Sequence, residues 1–180
     1  MASRILLLAT VALAACGKSE RTASATVPEH QRALAELLYA RDLAEVRDTT
    51  VNGAYGAVID MCASDSASIV AGFLDGLARV YSSHGQVVLG VPSAFPTAVQ
   101  DAAKRFVAVA DSVSLATLLV PERSPTRPGE AVLTVLTTRG ARVSVFSLKA
   151  LVAGGERENL GRAVSGLVGA YTAFATTQPS

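Results

Sequence analysis

Two runs of β-favouring composition, residues 131–138 with Val, Leu and Thr and residues 141–148 with Val and Phe between Arg and Ser, are separated only by Arg139-Gly140. Strands joined by two residues must turn back on each other, and a glycine at the turn accepts the positive φ that such tight connections require. The pair therefore predicts an antiparallel hairpin. Apolar residues alternate with Thr, Arg and Ser along both runs. Alternation of that kind leaves one face packed and the other wetter, so the hairpin belongs in an antiparallel sheet with helices on one side.

The helices that would cover it are sought from caps and periodicity. Thr26-Val27-Pro28-Glu29 has the order of a capping box, with Pro28 in the first turn, where its missing N–H has no partner to lose. Ala33, Leu34, Leu37, Leu38 and Ala44 continue an apolar face until Thr49-Thr50-Val51-Asn52-Gly53. Residues 54–63 are open between strand and helix; the reading taken is helical. After Ser64 as N-cap, Ile69, Val70, Phe73, Leu74, Leu77, Val80 and Tyr81 follow a helical period, with Gly85 as a left-handed C-cap. Residues 86–91, bounded by Gly85 and Pro92, read as a short buried strand.

Thr97-Ala98-Val99-Gln100 is a second capping box, and Val99, Ala102, Ala103, Phe106 and Ala110 carry a helix to about Ser112. Residues 113–120 fit a strand or a continuation of that helix, and Pro121 stops either. Three prolines, Pro121, Pro125 and Pro128, precede Gly129 and predict an exposed, extended loop. Leu160, Ala163, Val164, Leu167, Val168, Tyr171 and Phe174 mark a last helix, starting at Glu156 after Gly154-Gly155. The expected class is α+β: a helix-rich single domain over residues 28–176, with a small antiparallel sheet that includes the hairpin near 131–148.

Chemistry-bearing residues are few. His30 and His84 are distant in sequence and lack the clustered Cys or acidic residues of a zinc site, so no metal is expected. His30 reads as solvated in a first turn, and His84 as a cation at a helix C-terminus. Ser64-Asp65-Ser66 near Asp60 offers hydroxyls and carboxylates, yet a nucleophile also needs a base within hydrogen-bond reach. Ser64 is read as a cap, and Asp60 and Asp75 as facing solvent or capping a turn, because a carboxylate on a buried face would need a partner. There is no G-x-S-x-G elbow, and Gly17-Lys18-Ser19 lacks both the earlier glycine and the preceding strand of a phosphate loop. No catalytic residue and no cofactor is assigned. Gly72 and Gly76, and Gly161, Ser165 and Gly169, repeat small residues at four-residue steps; the first reading is close packing inside the domain, the second a docking face.

The N-terminus carries the most specific signal. Arg4 is followed by an apolar run over residues 5–15 and then by Leu13-Ala14-Ala15-Cys16. Charge, apolar stretch and small residues occur in the order of a secretory signal, and the run is shorter than the roughly 20 residues needed to span a bilayer. Leu-Ala-Ala-Cys resembles the lipobox of bacterial lipoproteins. The resemblance covers the export segment alone and implies cleavage before Cys16, a diacylglycerol thioether on Cys16 and acylation of its amino group. Gly17 stands where an Asp often marks inner-membrane retention, which implies the outer membrane in a Gram-negative host.

Residues 16–27 would then be a lipid-bearing tether, polar and mixed in charge. Removal of residues 1–15 from the 180 leaves 165, enough for one real core. The whole chain has 16 Lys+Arg and 15 Asp+Glu, and loss of Arg4 balances the mature part at 15 of each. Nothing in that charge suggests nucleic acid. With Cys16 acylated, Cys62 has no disulfide partner in the chain and reads as a small buried hydrophobe. The expected function is a lipid-anchored extracytoplasmic binding protein, a non-catalytic subunit or scaffold with a protein partner at the cell envelope. Two alternatives stand beside it: a carrier or sensor of a small apolar ligand, and an envelope hydrolase around Asp60, Ser64, Asp65 or His84.

Overall fold

The computed structural model describes residues 53–83, 94–114, 126–138 and 140–177. Strands β1 (Ala54–Cys62), β2 (Ala67–Phe73) and β3 (Ala78–Ser82) precede helix α1 (Thr97–Ser114). Strands β4 (Glu130–Thr137) and β5 (Gly140–Ser147), a 3-10 turn (Leu148–Leu151) and helix α2 (Glu156–Ala175) follow. All strand pairs are antiparallel, in the order β3-β2-β1-β4-β5, so the class is α+β with the hairpin near 131–148 in place.

Two segments read as helical are strands. Of residues 54–63, Ala54–Cys62 form the central strand β1, and the helix expected after Ser64 is the β2–β3 hairpin. The reason is burial on both faces. Ile69, Val70, Ala71 and Phe73 are each at most 1% exposed, so β2 shows no polar alternation, and its apolar residues fit a helical period by coincidence. The break lies at Asp75-Gly76. Gly76 takes φ 87°, its N–H donates to the Phe73 carbonyl at 3.0 Å, and the Leu77 N–H donates to the Asp75 carboxylate at 2.9 Å. Asp75 thus caps a turn, and Ser64 lies in the β1–β2 turn, where the Ala63 N–H donates to the Ser66 carbonyl at 2.7 Å.

The β4–β5 turn comes one residue earlier than expected. Thr137 pairs with Gly140, whose φ of 126° suits glycine, and the Thr137 hydroxyl donates to the Gly140 carbonyl at 2.7 Å.

Helix α1 buries Val99, Ala103, Phe106 and Ala110 as expected, leaves Ala102 partly buried, buries Val107 in addition, and runs on to Ser114. Its start differs in detail from a capping box: the Gln100 side-chain amide donates to the Phe95 carbonyl at 2.8 Å, while the Pro96 carbonyl accepts from the Val99 and Gln100 N–H groups. The helix lies on the sheet face that carries Gly72. A Cβ there would stand 3.0 Å from the Phe106 ring and 3.2 Å from the Ala103 carbonyl oxygen, so glycine sets how closely helix and sheet approach. Helix α2 packs on α1, β3 and the 3-10 turn, burying Leu160, Ala163, Val164, Leu167, Val168 and Tyr171 as its spacing predicted.

The small-residue repeats divide accordingly. Gly72 and Gly161 sit in close packing, Gly76 is in a turn, Ser165 donates to the Gly161 carbonyl at 2.9 Å, and Gly169 is exposed. The signal, Cys16 and the tether, the helix predicted after Thr26 with His30, residues 86–91, His84, Gly85 and residues 115–120 lie outside the described residues.

Candidate functional site

Antiparallel register places Asp60 on the sheet face opposite Gly72 and α1, in one cross-strand row with Ile69, Tyr81, Val132 and Val145. Asp60 is 4% exposed, contrary to the solvent-facing or turn-capping position expected of it. Neighbouring strands occupy both edges of β1, and the 4% exposure of Asp60 shows that this face of the sheet is covered as well. The Thr126 hydroxyl donates to the Asp60 carboxylate at 3.4 Å, in keeping with the rule that a buried carboxylate requires hydrogen-bonding company. Thr134, opposite Val58 on β4, adds a second polar side chain to this face at 2% exposure. Its hydroxyl has no hydrogen-bond partner among the described residues.

Such a hydroxyl costs folding free energy, because burial removes its water contacts and nothing replaces them. Thr134→Val is therefore expected to stabilise the domain by about 1 kcal/mol, read from the midpoint of urea unfolding. An unchanged or lowered midpoint would show that the hydroxyl is satisfied in solution.

Of the other hydrolase candidates, the described Ser64 and Asp65 do not join Asp60, and His84 lies outside the described residues. Ser64 and Asp65 are exposed in the β1–β2 turn, beyond the end of β1 at Cys62, whereas Asp60 is buried within the strand. Cys62 is buried, as expected, with its thiol directed to the Ala63 carbonyl at 3.5 Å. Among the described residues no group of three or more His, Cys, Asp or Glu side chains could hold a metal ion, and no helix is long and apolar enough to cross a membrane.

Two polar arrangements escaped the sequence reading. Arg142 of β5 forms an ion pair with Asp111 of α1, joining an outer strand to the covering helix. It is a long-range pair on two elements whose relative placement only the fold supplies. At the β3 side, Phe95 packs edge-on against Phe174 with centroids 5.3 Å apart and lies 6.0 Å from Tyr171, while the Arg79 guanidinium stands 5.9 Å from its ring centre. The fully buried Tyr81 is close by.

Burial pushes the Tyr81 phenol above its ordinary value near 10; Arg79 opposes the shift, and Tyr171 adds to it. The sign for stability follows from which state ionises first. Below about pH 10 both states keep the proton, whereas above it the unfolded chain ionises more readily and unfolding is favoured. Stability should fall as pH rises through this window, and Tyr81→Phe should make the fall shallower. Thermal midpoints measured between about pH 8 and about pH 11 test this, and identical slopes for the two proteins would refute it.

No protein-family model, curated protein or solved structure matches the chain.

Proposed function

We propose that the chain is a bacterial lipoprotein held at the extracytoplasmic side of a membrane by lipids on Cys16, where it works by binding, as a non-catalytic subunit or scaffold of an envelope assembly. The observation that carries the reading is the order Arg4, apolar run, Leu13-Ala14-Ala15-Cys16, followed by a polar tether. Two or more acyl chains suffice to hold a soluble domain at a bilayer, since each buried CH₂ contributes about 0.8 kcal/mol and one chain alone binds marginally. Gly17 directs the protein to the outer membrane where the host has one. Ser64 and Asp65 are exposed in a turn while Asp60 is buried, so these three do not form one hydrolytic site.

Mass spectrometry of the protein extracted from membranes tests the anchor. The expected N-terminus is Cys16 carrying a diacylglycerol and an amide-linked acyl group, and an unmodified or different N-terminus would overturn it. In-cell crosslinking followed by mass spectrometry tests the binding role. A different protein in stoichiometric amount is expected; the chain recovered without one after gentle extraction would remove this role.

A further inference from the structure

Both faces of the sheet are buried, and the described helices account for one of them. Helix α1 lies on the Gly72 face and touches all five strands, while α2 meets the sheet chiefly at the outer strand β3. On the opposite face stand Val58, Asp60, Ile69, Phe73, Val132 and Thr134, each at most 4% exposed. The described loop before β4 reaches this face through the Thr126 hydrogen bond to Asp60. These side chains are buried within a single chain, so the chain itself supplies their cover.

We propose that residues 28–48, as the amphipathic helix their sequence predicts, dock on this face with Arg41 paired to Asp60. Three observations select that occupant. The first is reach: five strands about 4.8 Å apart make a face about 19 Å wide, and a helix over residues 28–48 is about 31 Å long. Residues 84–93 and 115–125 are shorter, and Pro92 in one, with Pro121 and Pro125 in the other, would interrupt a helix there. The second is connection. Residue 48 stands six positions before Ala54, where the central strand β1 begins, and α1 already fills the other face. The third is charge. Ala33, Leu34, Leu37, Leu38 and Ala44 form the apolar stripe, and Arg41 falls inside it, four residues after Leu37 and three before Ala44. Arg32 and Arg47 fall on the opposite side of the same helix. A guanidinium on an apolar stripe is costly to bury unless a carboxylate meets it, and the buried carboxylate of this face is Asp60, on the central strand. The Thr126 hydroxyl gives Asp60 a hydrogen bond but no opposite charge. The docking holds with or without lipid on Cys16.

A double-mutant cycle in the full chain, purified in detergent and unfolded by urea, tests the pair. Arg41→Gln and Asp60→Asn should each raise the unfolding constant by about 100-fold, because each leaves a buried charge uncompensated. The double variant should show about the same 100-fold rise, whereas independent effects would multiply to about 10,000-fold. Arg32→Gln and Arg47→Gln serve as controls, and each should change the constant by less than about 3-fold, with or without Asp60→Asn. Effects of Arg41→Gln and Asp60→Asn that multiply would overturn the proposal. Hydrogen exchange of the unaltered chain gives a second reading that needs no variant to fold. Amides of residues 34–44 should exchange at least about 100-fold more slowly than in an unstructured peptide, and free exchange there would overturn the docking.

Discussion

Replacing Gly161 with alanine is expected to destabilise the domain by about 3 kcal/mol or more, although alanine is the better helix former by about 1 kcal/mol. Gly161 lies in α2, where the helix crosses the 3-10 turn. A Cβ there would stand 2.2 Å from the Leu151 carbonyl oxygen and 3.1 Å from its carbon, and both atoms are backbone. No rotamer change can relieve such a contact. The turn cannot easily retreat: Leu151 is buried, Ser147 caps the turn by accepting from the Lys149 N–H, and β5 holds its start in the sheet. Helix α2 must therefore move outward and loosen its seam with α1. Gly166→Ala and Gly169→Ala supply the internal comparison, since no atom lies within 4 Å of a Cβ at either position. Both should stabilise by about 0.5–1 kcal/mol through helix propensity and reduced unfolded-state entropy. Urea unfolding of the three variants separates the effects, and a Gly161→Ala protein as stable as the parent would refute the close approach.

The parts of the fold legible in the sequence are those where one physical signal acts alone. Helix α2 has a solvent face and a core face, so its seven buried positions recur with the helical period and could be named beforehand, Gly161 apart. The β4–β5 hairpin was legible from two β-rich runs and a glycine, although the turn falls one residue early because Gly140 serves in the closing pair. Strands β1 and β2 defeated the same method. Both are buried on both faces, which erases the two-residue alternation and leaves apolar runs that suit a helix equally well. The turn chemistry of Asp75-Gly76 was the overlooked arbiter, since that dipeptide is a strong hairpin signal between apolar runs.

The polar residues were less legible than the core. Asp60 is legible as a carboxylate in an apolar stretch, but its burial depends on both faces of β1 being covered, which is a property of the tertiary packing. Thr126 and Thr134 look like ordinary loop and strand threonines in sequence. They become notable only once pairing puts them on the Asp60 face. Arg142 and Asp111 are 31 residues apart, and no local pattern links them. Residues that act through local chemistry can be read from a chain; those that act through juxtaposition await the fold.

Under the proposed anchor, Cys16→Ser is expected to abolish lipid attachment while leaving the domain's stability unchanged. A serine hydroxyl cannot form the thioether, so the acyl chains that hold the protein at the bilayer are never added. The remaining signal has one basic residue and an apolar run too short to span comfortably, so any residual membrane association of uncleaved precursor should be weak. The domain itself should not register the change. Its described core is built from residues 54–171, and Cys62 is buried within it, engaged with its own neighbourhood rather than with Cys16. Fractionation after expression should therefore move at least 90% of the protein out of the carbonate-resistant membrane fraction, a shift of roughly 10-fold that corresponds to about 1.4 kcal/mol and lies far inside what two acyl chains contribute. Thermal midpoints of the parent in detergent and of the variant should agree within about 2 °C, less than a 1 kcal/mol change would produce in a domain of this size. A variant that remains in the resistant membrane fraction would show that something other than Cys16 holds the protein there. A variant that leaves the membrane with a much lower midpoint would show that the anchor and the domain are coupled, which a polar tether between them does not permit.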